Sequence, residues 1–161
     1  MNINLFHGSN VAISEIDLSK GLIDKDFGQG FYLTDILDQA QAMANRRVRI
    51  TQKGHPVVTT FEFDDAFLYD SELNVKLFDD SPTEEWALFV MSNRNSSQTG
   101  FTHPYDIVVG PVANDGVAFQ MERYEEGLID LPTLVRELTF RKLNRQYYFG
   151  TERAIATLKK I

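Results

Sequence analysis

An α+β fold is predicted by three features of the sequence. Short β-branched or aromatic runs bounded by turn residues, such as "PVVTTFEF" (56–63), indicate strands. Other stretches carry apolar residues at helical spacing and indicate helices. The two kinds of segment are mixed without regular strand–helix–strand alternation, which favours α+β over a doubly wound sheet. Short strands joined by long connections further predict a clefted sheet with flanking helices rather than a closed barrel.

Five strands are predicted along the chain. The first, "INLF" (3–6), is expected to end in a turn at His7–Gly8. The fourth is expected to be interrupted at Gly110–Pro111, because proline cannot donate a ladder hydrogen bond. The remaining four runs are "GFYL" (30–33), "PVVTTFEF" (56–63), "YDIVVGPV" (105–112) and "QYYF" (146–149).

Five helices are predicted between and after these strands. The first follows an N-cap at Thr34 or Asp35, and the second opens with Ser81 as N-cap, Pro82 at the first helical position and Glu84 at the third. Residues 118–127, 131–140 and 151–160 form the others, with a stop at Gly127 and a cap at Thr151.

Length and composition favour one domain over residues 1–161, long enough to bury a core at 18.4 kDa. No apolar run approaches the roughly 20 residues that span a bilayer, so no membrane association is expected. The N-terminal "MNINLFHGSN" lacks a basic segment followed by an apolar one. A signal peptide is therefore not expected, and a cytoplasmic location is.

Several classes of chemistry are disfavoured by the composition. The chain has no cysteine, and its three histidines have no zinc-ligand spacing, so no metal site is expected. The net charge of −7 repels nucleic acid on average. A protein or small molecule is therefore favoured over nucleic acid as a partner.

Polar and aromatic groups stand at the ends of the predicted strands. His7 is followed by Gly8 and Ser9, Tyr32 lies behind two glycines in "DFGQGFYLTD" (26–35), and Gln146 opens the last strand. Glycines leave the backbone open to close approach by a ligand. A histidine, a tyrosine face and bare amides together suit a flat, polar, aromatic ligand. Taken singly, His7 is also compatible with a satisfied strand-end histidine, and Tyr32 with a core aromatic.

The motifs "LFHGS" and "FGQGFYLTD", followed by a helix, resemble the ADP-ribosyltransferase superfamily, in the branch of the poly(ADP-ribose) polymerases and diphtheria toxin. "DFGQGFYLT", "YDIVVGPVANDG" and "QYYFGTERAIATL" are similar to an uncharacterised bacterial family of that superfamily. The resemblance covers residues 3–45 and 105–160. It implies a single ADP-ribosyltransferase-like domain with a split, clefted β-sheet core, and members of the bacterial family often look like the toxin of a toxin–antitoxin pair.

The resemblance also implies a role for individual residues in binding NAD as co-substrate. His7 would bond the adenosine ribose, Gly8 the nicotinamide carboxamide, and Tyr32 would stack on the nicotinamide ring. Met43 stands where the polymerases have a second tyrosine. The predicted catalytic residues are His7, Tyr32 and Gln146, and the predicted NAD-binding residues are His7, Gly8, Ser9, Asp26, Phe27, Gly28, Tyr32, Thr34 and Met43.

Gln146 falls where the superfamily usually has its catalytic glutamate. A glutamine accepts the same ribose hydrogen bond but carries no charge, so Asp26 or Glu152 is considered as the source of a carboxylate. The resemblance implies a mono-ADP-ribosyltransferase, a toxin restrained by an antitoxin protein, and no polymer formation. Two alternatives stay open: an NAD glycohydrolase, with water as acceptor, and a catalytically weak module that binds NAD or ADP-ribose.

Overall fold

Two β-sheets form the framework of the computed structural model, which describes residues 1–161. One sheet has three antiparallel strands in the order β1–β3–β7, and the other has four strands in the order β2–β6–β5–β4. In the second sheet only β4 and β5 run parallel. The strands are β1 (Asn2–Ser9), β2 (Phe31–Leu33), β3 (Val57–Asp64), β4 (Val75–Leu77), β5 (Ile107–Pro111), β6 (Arg145–Phe149) and β7 (Leu158–Lys160).

Six α-helices flank these sheets, together with two short 3₁₀ turns. The helices are α1 (Leu37–Thr51), α2 (Glu84–Arg94), α3 (Ser96–Thr99), α4 (Asp115–Glu125), α5 (Leu131–Thr139) and α6 (Glu152–Ile155). Four of them begin with a side chain that accepts a main-chain N–H bond, which satisfies a donor that the first turn leaves open. These caps are Thr83, Asn114, Asp130 and Thr151. No helix combines the length and the apolar character needed to cross a bilayer.

The two sheets meet where their edge strands β1 and β2 touch. Phe6 and Thr34 exchange both main-chain hydrogen bonds, at 2.7 and 2.9 Å, in an isolated antiparallel bridge. Beyond this bridge the two edge strands do not pair, so the framework is a split sheet. The fold class is therefore mixed α+β, as predicted.

Two apolar clusters hold the layers together. The first lies between the two sheets. Successive side chains of a strand point to opposite faces, so β6 contributes Tyr147 and Phe149 to this cluster. The second lies on the opposite face of the four-stranded sheet, under α2, α4 and α5, and it receives Tyr148 of β6 and Tyr32 of β2. Phe27 and Trp86 are fully buried in this second cluster.

Contrary to the prediction, β1 does not end at His7–Gly8 and β5 is not interrupted at Gly110–Pro111. β1 continues through His7, Gly8 and Ser9, which pair with β3. β5 likewise includes Gly110 and Pro111, which pair with Gln146 and Arg145. A side chain at Gly8 or Gly110 would meet a neighbouring element, so both glycines serve close packing within a strand.

Three helix ends also differ from the prediction. α1 begins at Leu37 after Ile36, which makes no side-chain cap bond, and the Thr34 hydroxyl instead accepts from the Ile36 N–H. The N-cap of α2 is Thr83 rather than Ser81. The predicted C-terminal helix over 151–160 is one turn, α6, because the chain then joins β3 as strand β7. β4 was not predicted.

Candidate functional site

The approach of α1 to β1 determines how the first predicted motif is placed. Gly8 faces the backbone of α1 at Ala40 and Ala44, and a Cβ on Gly8 would overlap the carbonyl oxygen of Ala40. Ala40 and Ala44 are themselves almost fully buried. The small residues on both sides therefore let the helix and the strand touch, and they hold His7 and Ser9 at the junction of the sheets. The Ser9 hydroxyl donates to Asn10 at 3.3 Å.

His7 links the two sheets through its side chain. Its Nδ1 lies 2.9 Å from the main-chain oxygen of Tyr32, and its ring stacks on Phe31 with the centroids 4.5 Å apart. A carbonyl oxygen only accepts, so Nδ1 carries the hydrogen and Nε2 of the neutral ring is an acceptor. Burial lowers the pKa of His7, and the nearby Arg47 charge lowers it further, while the bond to Tyr32 opposes both. His7 is thus a neutral hydrogen-bond acceptor near pH 7.

The loop of residues 26–30 is fixed by bonds to its main chain. The Tyr32 hydroxyl donates to the oxygen of Gly28 at 2.6 Å and accepts from the N–H of Phe27 at 3.0 Å. His103 Nε2 donates to the oxygen of Phe27 at 2.6 Å, and the Tyr148 hydroxyl donates to that of Gln29 at 2.9 Å. Gly28 has a φ of +96°, a left-handed conformation that favours glycine. These bonds hold the loop in one conformation.

The ring of Tyr32 packs against aromatic side chains beside this loop. It lies parallel to Phe27 with the centroids 6.5 Å apart and edge-on to Tyr148 at 5.3 Å. Burial raises the pKa of the Tyr32 hydroxyl, which therefore stays protonated at neutral pH. Tyr32 as a whole is partly exposed. Stacking on nicotinamide stays a prediction.

A buried polar network joins the loop to β6. Asp26 accepts from Arg94 through Oδ1, with Nε at 2.8 Å and Nη2 at 2.7 Å. Its Oδ2 accepts from the main-chain N–H of Ala113 and from Gln146 Nε2, both at 2.9 Å. Of the two carboxylates considered from the sequence, Asp26 therefore contacts Gln146. Glu152 is exposed beyond the opposite end of β6.

Gln146 presents only one of its two polar ends to solvent. Its Nε2 donates to Asp26 and, at 3.3 Å, to the main-chain oxygen of Pro111. No protein donor reaches Oε1, which retains some solvent contact. Gln146 as a whole is only 9% exposed, so this oxygen is an available acceptor at the edge of a buried residue.

The remaining predicted residues lie around this core. Thr34 is buried at the bridge between the sheets, where its hydroxyl bonds Gln39 at 3.2 Å. Met43 is half exposed on α1, between the two alanines that meet Gly8. A chain of contacts connects the three predicted catalytic residues: His7 to Tyr32, Tyr32 to the 26–30 loop, and Asp26 of that loop to Gln146.

Two cavities lie beside this cluster. One, of about 370 Å³, is on the far side of the loop and is lined by Gly28, Asn93, His103 and Tyr148 among others. The other, of about 510 Å³, is lined by residues of β1, β6 and the connection after β3. Neither cavity is lined by His7, Tyr32 or Gln146.

Three residues of the site were missed from the sequence. Arg94 ends α2, His103 lies in a loop, and Tyr148 was treated only as part of a strand. Arg94 contacts Asp26 across 68 residues and His103 contacts Phe27 across 76. Side chains that act over such separations leave no local pattern, so no signal in the sequence pointed to them.

A family model matches residues 3–160, nearly the whole chain, and its description is "Protein of unknown function (DUF3990)". The chain belongs to the DUF3990 family. No curated protein matches it. The description of the DUF3990 family names no activity, and the chemistry available to this member therefore rests on its own side chains. They provide two acceptors, His7 Nε2 and Gln146 Oε1, beside a glycine-lined strand and a tyrosine.

Proposed function

We propose that this DUF3990 protein is an NAD-dependent mono-ADP-ribosyltransferase with an ADP-ribosyltransferase-like domain. The observation that carries the proposal is the contact chain from His7 through Tyr32 to Gln146 at the junction of the two sheets. Three residues from distant motifs, each implied by the resemblance to have a role in that superfamily, are joined around one strand. The split framework, in which the edge strands β1 and β2 meet at one bridge, supports the same proposal.

Each of the two acceptors has a role in this proposal. Nε2 of neutral His7 accepts a hydrogen bond from a ribose hydroxyl, and Oε1 of Gln146 accepts one from the nicotinamide ribose. In this proposal the Gly8 backbone bonds the nicotinamide carboxamide, as the resemblance implies. Cleavage of the glycosidic bond releases nicotinamide, and the nucleophile of the acceptor attacks the oxocarbenium-like carbon. The acceptor is a protein or a small molecule.

A toxin restrained by an antitoxin protein belongs to the same proposal, and its support is the resemblance alone. NAD glycohydrolase activity is the alternative in which water takes the place of the acceptor. The neutral Gln146 supports a third candidate, a module that binds NAD or ADP-ribose without rapid turnover. The charge of Asp26 is shared with Arg94, so the network adds little net negative charge to the site.

The test is to incubate the purified protein with NAD labelled on its adenylate half, with and without bacterial lysate. Label transferred to a lysate component, and lost in His7→Ala, is the expected result. His55→Ala is the matched control, because the His55 side chain is exposed in a loop and makes no side-chain bond. Free ADP-ribose without labelled acceptor would indicate a glycohydrolase. Unchanged NAD in every sample would overturn enzymatic activity and leave the binding module.

A further inference from the structure

Only one orientation of the Gln146 side-chain amide is compatible with its hydrogen-bond partners. Its two N–H hydrogens are directed at Asp26 Oδ2, 2.9 Å away, and at the main-chain oxygen of Pro111, 3.3 Å away. Both partners are acceptors without a hydrogen to give. Turning the amide over would place its oxygen against two other oxygens. Oε1 therefore faces outward, where no protein group bonds it.

Asp26 is itself held in place from two sides. Arg94 grips Oδ1 with two nitrogens at 2.8 and 2.7 Å, and the same guanidinium donates to the oxygen of Ala113 at 3.2 Å. The N–H of Ala113 donates to Oδ2 at 2.9 Å. Asp26 is 7% exposed, so its carboxylate is an immobile, desolvated acceptor.

We propose that Asp26 and Arg94 are positioning residues for Gln146, and that they make glutamine, rather than glutamate, the residue this site requires. The inference rests on the proposed function and deepens it. A glutamate at position 146 would place a second carboxylate against Asp26 and the oxygen of Pro111, with no hydrogen for either. Only a protonated glutamate could donate to Asp26 as the glutamine does. The neutral residue at position 146 is thus matched to its surroundings.

Two charged groups are linked to position 146 by hydrogen bonds. The Asp26 carboxylate from the loop bonds Gln146 directly, and the Arg94 guanidinium from α2 bonds Asp26. Tyr32 on β2 carries a hydroxyl whose pKa is raised by burial, so it stays neutral. A carboxyl introduced at 146 would lie beside the Asp26 carboxylate, and only its protonated form would imitate the glutamine.

The experiment measures nicotinamide release from NAD between about pH 6 and about pH 9, a range chosen because a paired carboxyl can titrate there. Gln146→Glu is expected to lose activity about tenfold or more as the pH rises, since its ionised form cannot donate to Asp26. Adding Asp26→Asn supplies an amide that donates to the new carboxylate. The double variant is expected to recover activity at high pH, so that its activity no longer falls as the pH rises.

A matched control separates this pairing from a general effect of charge. Gln146→Glu combined with Glu152→Gln removes an equally charged residue that does not touch position 146, and no recovery is expected. Arg94→Lys keeps the charge but cannot reproduce the two contacts that the guanidinium makes with Asp26. We therefore expect kcat to fall with KM little changed. Arg49→Lys, at an exposed position on α1, is its control and should change neither. A Gln146→Glu variant more active than the native protein at high pH would overturn the inference.

A second readout does not depend on turnover. Carbon-13 NMR of glutamate-labelled Gln146→Glu is expected to show one carboxyl pKa well above the ordinary glutamate range, which returns downward when Asp26→Asn is added. If the native protein does not cleave NAD, the proposed function fails, but this coupled titration still supports the positioning of residue 146 by Asp26. An ordinary pKa at position 146 overturns the inference even if the native protein is active.

Discussion

His7 and Tyr32 are joined by a hydrogen bond of 2.9 Å from the imidazole Nδ1 to the main-chain oxygen of the tyrosine. The bond connects β1 to β2, the edge strands of two different sheets. It sets the tautomer of His7, and it leaves Nε2 as the acceptor that the proposed function requires. Because burial favours the neutral ring, protonation of His7 is coupled to the stability of this junction.

The stability of the protein is expected to fall as the pH drops from about 7 towards 5, because His7 has a lower pKa folded than unfolded. Below the ordinary histidine pKa of about 6.5, the unfolded chain binds more protons than the folded protein does. The free energy of unfolding therefore decreases there. His7→Asn removes the titration and keeps an amide that can donate to Tyr32. Urea unfolding at several pH values should show a shallower slope for this variant. His103, whose pKa burial also lowers, accounts for the remaining slope.

Gly8→Ala is expected to destabilise the protein by about 3 kcal/mol, because the added Cβ overlaps the α1 backbone at Ala40. Relief requires α1 to move away from β1. Gly127→Ala is the comparison: Gly127 has a φ of +78° but open space around it, so only backbone strain of about 1 kcal/mol is expected. Urea unfolding measures both. Equal losses in the two variants would contradict the close approach of α1.

Tyr32→Phe keeps the aromatic ring and removes both hydroxyl bonds. The N–H of Phe27 and the oxygen of Gly28 then lose their partner, which is expected to cost about 2 kcal/mol. Tyr69→Phe is the control, since Tyr69 is 80% exposed and its hydroxyl makes no bond. Thermal unfolding measures the loss. A Tyr32→Phe protein as stable as the native one would show that the hydroxyl does not hold the loop.

Asp106→Asn is expected to destabilise the opposite end of the four-stranded sheet by about 2 kcal/mol. The carboxylate accepts from Thr151 at 2.6 Å, from the N–H of Asn74 at 2.8 Å and from Arg153 at 2.9 Å. Burial alone would raise its pKa, but these bonds and the Arg153 charge outweigh burial and lower it.

The Asp106 carboxylate therefore stabilises the protein above the ordinary aspartate range, and this contribution is lost as the pH falls through the lowered pKa. The free energy of unfolding, measured in urea at several pH values, is expected to fall from about pH 5 downwards, where the unfolded aspartate takes up a proton more readily than the folded one. In Asp106→Asn this decline should be shallower. An unchanged decline would show that Asp106 does not contribute.

Local patterns were sufficient where an element is defined by its own residues. The strands β2, β3 and β6 and the helix α5 lie within a residue or two of their predicted bounds. Prediction failed where a residue was selected by a distant neighbour. Gly110 reads as a strand breaker, but a Cβ there would meet Phe78 and Phe27 at 3.0 to 3.2 Å, so it is a packing glycine inside β5. β7 exists because Leu158 pairs with Phe63 of β3, a partner far away in the chain.

By itself, the sequence determined the α+β class and the motifs that carry His7, Tyr32 and Gln146, because those signals lie in adjacent residues. Only the tertiary structure decided which nitrogen of His7 is free, which carboxylate meets Gln146 and which cation neutralises it. Asp26 and Gln146 are 120 residues apart, and Asp26 and Arg94 are 68 apart. Hydrogen bonds over such distances depend on how the layers pack, and packing leaves no periodicity in the sequence that could predict them.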